Sequence, residues 1–127
     1  MKSRRRLDPG AILGGLFEGV APEPETVDLV AKELADPGSA YDKSALVEIL
    51  AKAGAARHRH LIEDVFLRSS DPVDVHKAAH MLFPGWGLDP ENEPYASRLL
   101  DLARGQPWDT DGTAAAVATR ILGVDSN

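Results

Sequence analysis

The stretch from Leu61 to Gly87, LIEDVFLRSSDPVDVHKAAHMLFPGWG, constrains the fold of this chain more than any other. Leu61, Ile62, Val65 and Phe66 fall at i, i+1, i+4 and i+5, one apolar stripe of a helical period. After a turn at Ser70-Asp71-Pro72, a second stripe follows in Val75, Ala78, Ala79, Leu82 and Phe83. Two short amphipathic helices joined by a tight turn form an α-hairpin, and one hairpin cannot bury its apolar face alone. The rest of the chain therefore has to supply partners for it.

Flanking segments meet that demand. Asp8-Pro9 predicts a helix start, with the carboxylate capping free N–H groups and the proline preorganised at the first position. Ile12, Leu13, Leu16 and Phe17 give it a short apolar face, weakened in propensity by Gly10, Gly14 and Gly15. After the linker Ala21-Pro22-Glu23-Pro24, a helix from about Glu25 to Ala35 carries Val27, Leu29, Val30, Ala31 and Leu34. Leu46, Val47, Ile49, Leu50 and Ala53 mark a third, stopped by Gly54. Beyond the hairpin, which Pro84-Gly85-Trp86-Gly87 closes, Ala96, Leu99, Leu100 and Ala103 mark another. Ala114, Val117, Ala118, Ile121 and Leu122 mark the last, capped by Asp109 or Thr110 and ended by Gly123. No segment alternates with period two for long enough to predict a strand. The expected fold class is all-α, with about seven helices.

Three segments beginning at Leu29, Leu61 and Leu99 share one plan: an apolar helix, a turn rich in Asp, Pro or Gly, a second helix, and a glycine. Their starts are about 32 and about 38 residues apart, in the range of helical solenoid units. The run DPVDVHKAAHMLFPGWG, Asp71 to Gly87, resembles the second half of a short bacterial HEAT repeat, with an Asp-Pro turn, an Ala-rich helix and a glycine. The likeness covers about residues 25 to 123 and weakens in the third unit, where Pro107-Trp108-Asp109 stretches the turn. It implies a HEAT-like α-hairpin solenoid of three repeats plus an N-terminal cap helix. A basic flexible arm at residues 1–7 would precede a single domain at 8–124. Trp86-Gly87-Leu88 and Pro107-Trp108-Asp109 also resemble elements of small bacterial HEAT-like proteins, some of them held to be immunity partners of secreted toxins.

Composition narrows the function. The chain has 127 residues, a net charge of −6 and no cysteine, which removes disulfides, thiol catalysis and cysteine-based metal sites. An acidic chain repels nucleic acid and anionic lipid, apart from the basic run Lys2-Ser3-Arg4-Arg5-Arg6. That run before Ala11–Phe17 has a passing likeness to an export signal, but Asp8, Pro9 and Glu18 interrupt the apolar stretch. The expectation is a cytoplasmic protein with neither membrane nor nucleic acid as partner.

The candidate chemistry centres on histidine. His76 and His80 are four apart on one helix face, a spacing that can hold zinc or iron, with His60, Glu63 or Asp64 as further ligands. A metal-dependent or lyase-type HEAT enzyme on His60, His76 and His80 is therefore the alternative reading. The sequence lacks the glutamate of a zinc protease after the first histidine, and the His-Glu pairs with which HEAT-repeat hydroxylases hold iron. A polar binding face explains the cluster better, so no metal and no cofactor is expected. Asp109 and Asp111 beside Trp108 invite comparison with HEAT-like DNA glycosylases, but helix capping accounts for them in an acidic chain.

The reading is thus a non-catalytic protein–protein binding module, a monomer when free, whose partner is another protein such as a toxin domain. Residues off the apolar stripes of each hairpin's second helix should meet that partner: Lys43, Glu48, His76, Lys77, His80, Thr113 and Arg120, joined by Trp108, Asp109 and Asp111. A loop tryptophan is either a plug over a core or an anchor for a partner. Plugging is favoured for Trp86 and the choice stays open for Trp108. Acidic runs in the N- and C-terminal thirds would suit a basic toxin whose active site grips phosphates.

Overall fold

A computed structural model describes residues 7–123 of the chain. The basic arm expected at residues 1–7 lies, except for Leu7, outside the described residues, as does 124 at the far end of the expected domain. The described residues are all-α: seven α-helices, one 3₁₀ turn, one π-helical turn and no strand. None of these helices is long and apolar enough to cross a membrane. The chain divides into two compact units, one running up to Leu61 and the other from Ile62 onward, so that the boundary falls inside a helix.

The first unit holds α1 (Pro9–Phe17), α2 (Pro24–Ala35) and α3 (Lys43–Lys52). Asp8 starts α1 by accepting the Ala11 N–H at 3.1 Å. On α2, the buried set Val27, Val30, Ala31 and Leu34 follows i, i+3, i+4, i+7, one stripe facing the core. It packs against α3, where Leu46, Val47, Ile49 and Leu50 are fully buried. Asp36 and Ser39 shape the turn between them, and Asp42 caps α3 through the Ser44 N–H at 3.1 Å. α1 packs on α3 yet buries none of its residues fully, and Phe17 at its end is 70% exposed under the Lys52 ammonium.

A 3₁₀ turn, Ala56–His58, leads into α4 (Arg59–Arg68). The second unit then adds α5 (Pro72–His80), the π turn Met81–Gly85, α6 (Tyr95–Arg104) and α7 (Thr113–Leu122). Asp71 starts α5 by accepting the Val73 and Asp74 N–H groups at 2.9 and 3.2 Å. α7 packs on both α5 and α6. Between them lie Val75, Ala78, Ala79, Leu82, Leu99, Leu102, Ala114, Val117 and Ala118, and the alanines allow close helix approach. α4 joins through Phe66, whose ring meets Phe83 edge-on at 5.3 Å and Tyr95 at 6.4 Å.

The hairpin's second helix does not simply stop before Pro84. A proline cannot donate to the carbonyl four residues back and its ring would crowd that carbonyl. The helix widens instead: Trp86 donates to Met81 at 2.9 Å, an i→i−5 bond, and Leu88 donates back to Leu82 at 3.1 Å.

Candidate functional site

The polar residues expected to face a partner fall into several local settings. In the first unit, Lys43 Nζ reaches the Leu34 carbonyl at the end of α2, at 3.5 Å. Glu48 lies 3.7 Å from Lys52 along α3. Both are half-buried side chains tied to their own neighbourhood. His60 is exposed on the first turn of α4. Nearby, His58 Nε2 and the Arg57 guanidinium both engage Asp28 of α2, His58 at 3.0 Å. Those two bonds, His58 first, hold the Asp28 carboxyl below its usual range.

In the second unit, the packing of α5 on α7 gathers four of the expected residues. The His76 and His80 rings stack at 6.3 Å between centroids, with planes 17° apart. His76 is half-buried and His80 exposed. Burial pushes the His76 imidazole below its ordinary value, and the charges of His80, Lys77 and Arg120 push in the same direction. Arg120 is the only charged residue of α7, and its side chain borders two open clefts. One, about 430 Å³, is walled by Gly112, Ala115, Ala116 and Thr119. The other, about 320 Å³, is walled by Phe83, Pro84, Leu88, Pro90 and Ile121 and is mainly apolar.

The loop before α7 separates its expected residues by role. The N-cap position is Gly112 in the left-handed region at φ +72°, where no side chain is present to cap and a β-carbon would be strained. Asp109 supplies the cap from three residues earlier. Its Oδ1 accepts the Ala114 N–H at 3.0 Å and its Oδ2 accepts the Ala115 N–H at 2.9 Å, and the residue is 8% exposed. Asp109 thus serves the helix, while Asp111 beside it is exposed. Thr113 is the first residue of α7 and half-buried. Trp108 is half-buried as well, with the Arg98 guanidinium 5.7 Å above its ring.

No group of three or more His, Asp or Glu side chains among the described residues is placed to hold a metal ion. Sequence reasoning named Phe83, Pro84 and Ile121 but missed the cleft they form with Leu88 and Pro90. Leu88 and Pro90 belong to no helical stripe, and the sole hint of their position is the pair of prolines, Pro84 and Pro90, that force the chain out of the helix on either side. No protein-family model, curated protein or solved structure matches the chain.

Proposed function

We propose that this chain is a non-catalytic protein-binding module built as a HEAT-like stack of α-hairpins. One observation carries the reading: the second helices of successive hairpins, α5 and α7, pack side by side and leave His76, Lys77, His80 and Arg120 off the buried stripe, with Arg120 bordering two open clefts. The first helices of the same hairpins are joined by Arg98 of α6, which donates to carbonyls at the end of α4. That pairing of first helix with first and second with second is what stacked helical repeats require. A ridge of polar side chains beside shallow clefts suits a protein surface better than a small substrate, which would need an enclosed, convergent pocket.

In its specific form, the module is an immunity protein of the bacterial cytoplasm that masks the active site of a toxin. The loop of Trp108 and Asp111 extends the same binding surface, and Asp109 contributes to it by holding α7 in place. Co-expression with the product of each adjacent gene, followed by size-exclusion chromatography, tests the proposal. A stable one-to-one complex that is lost when Arg120 is changed to Glu is the expected result. The absence of any such complex removes the immunity reading.

A further inference from the structure

We infer that the α5–α7 face of the second unit takes an acidic peptide segment of its partner, with carboxylates held by His76, His80 and Arg120 and an apolar side chain seated in the cleft of Phe83, Pro84, Leu88 and Ile121. The inference rests on the protein-binding reading and adds the chemistry of the bound segment.

Charge is the first argument. The groups that act on the His76 ring are His80 and Lys77 from its own helix and Arg120 from α7, and every one of them is cationic or becomes so. Asp74, the one carboxylate on α5, is two residues from His76, a spacing that does not place side chains on one face. The π turn packed against α5 carries no titratable residue, and α7 none besides Arg120. The groups acting on His76 in this chain of net charge −6 are thus all of one sign, while Asp74 lies three residues from Lys77, a spacing that places those two side chains on one face. Parallel imidazoles 6.3 Å apart repel when both are protonated, so an anion between or beside them is what makes the doubly charged state favourable.

Shape is the second. Arg120 is common to the polar and the apolar cleft, so a group paired with its guanidinium has an apolar surface within reach on one side. Thr119 gives its hydroxyl proton to the Ala115 carbonyl at 2.8 Å, so the donors for an incoming carboxylate are the ridge's cationic side chains rather than that hydroxyl. A bare oxyanion uses only the charges. A peptide with alternating acidic and apolar side chains uses both.

The test is a titration of the full chain with a short Glu-Leu-Glu-Leu peptide, its Gln-Leu-Gln-Leu counterpart, and inorganic phosphate, read by the imidazole proton resonances of His76 and His80. The Glu peptide should raise the titration midpoint of the His76 ring and bind ~10-fold tighter at about pH 6 than at about pH 8, as expected when protonation strengthens the site. His80→Gln and Arg120→Gln should each weaken binding by about 3- to 10-fold while leaving thermal unfolding unchanged, the effect of losing one charge-assisted contact on a surface. Equal binding of the Glu and Gln peptides, no binding of either, phosphate binding as tight as the Glu peptide, or unchanged affinity in both variants would overturn the inference. A protein complex that survives His80→Gln and Arg120→Gln sinks this inference and leaves the binding-module reading standing. Peptide binding without any protein complex does the reverse.

Discussion

Arg98 Nε of α6 donates to the main-chain carbonyl of Phe66, near the end of α4, at 2.8 Å. Its Nη2 donates to the Ser69 carbonyl just beyond that helix at 2.7 Å. The last carbonyls of a helix lack intrahelical donors, so one planar guanidinium satisfies two of them and adds positive charge where the helix dipole is negative. Burial lowers the Arg98 pKa, and Asp101 opposes that shift. Replacing Arg98 with Met should cost about 2–3 kcal/mol in urea unfolding, because the bonds are charge-assisted and their loss leaves carbonyls unpaired. Arg98→Lys should recover under half of that loss, since an ammonium cannot reproduce the fork. A loss below 0.5 kcal/mol, roughly the noise of an exposed site, refutes the capping role.

Asp109 invites a graded comparison. Asp109→Ala removes both acceptors and should cost about 1–2 kcal/mol, the range for a helix cap. Asp109→Asn keeps one acceptor and should cost about half as much. Amide exchange at Ala114 and Ala115, the two donors, should speed up before that of Val117 or Ala118 in the same helix.

Much of this was legible in the sequence, for reasons that differ by residue. The buried stripe of α2 and that of α5 follow from spacing alone, because a period near 3.6 leaves one face for the core. Asp8 announces its cap because proline follows it at a position the first helical turn tolerates, whereas Asp71, also followed by proline, reads as a turn and proves to be the cap of α5. Asp109 was readable as a cap, but the start of α7 slid to Thr113 because Gly112 takes a left-handed conformation first. Arg98 was silent. Its acceptors are main-chain carbonyls 29 and 32 residues earlier, and no pattern of side chains records a partner that has no side chain. The stacking of His76 on His80 follows from their spacing, but the approach of Arg120 depends on how α7 lies against α5.

The three-ring cluster of Phe66, Phe83 and Tyr95 should dominate the stability of the second unit. Phe66 is fully buried, so Phe66→Ala should cost about 3–5 kcal/mol, combining lost transfer energy with the cavity left behind. Phe66→Leu should cost less, about 1–2 kcal/mol, since it keeps most of the volume and forfeits the edge-on contacts with Phe83 and Tyr95.

His76 makes stability depend on pH, with a definite sign. Its folded-state pKa is lowered, so the unfolded chain binds the proton more readily than the native one. Its contribution is therefore fully present above the ordinary imidazole value, about 6.5, and is lost as pH falls through it. Urea midpoints of the parent should decline between about pH 7.5 and about pH 5.5, and His76→Gln should flatten that slope. A slope that is unchanged in His76→Gln assigns the dependence to another group.

α1 should be the least protected helix of the first unit. None of its residues is buried, whereas α2 has four that are. Its amides should exchange at least ~100-fold faster than those of Val30 and Ala31 in α2, through local opening.

The wide turn at Met81–Gly85 has a consequence for register. An i→i−5 turn accommodates one residue more than an α-helical turn, which rotates everything after it by roughly 100° relative to an uninterrupted helix. Leu88 and Pro90, which follow that offset, stand in the wall of the cleft beside Arg120. Deleting a single residue from the turn would leave α5 and its histidines where they are and turn Leu88 and Pro90 away from Ile121. One surplus residue thus sets the direction in which the chain leaves α5, and with it the position of Leu88 and Pro90 beside Arg120.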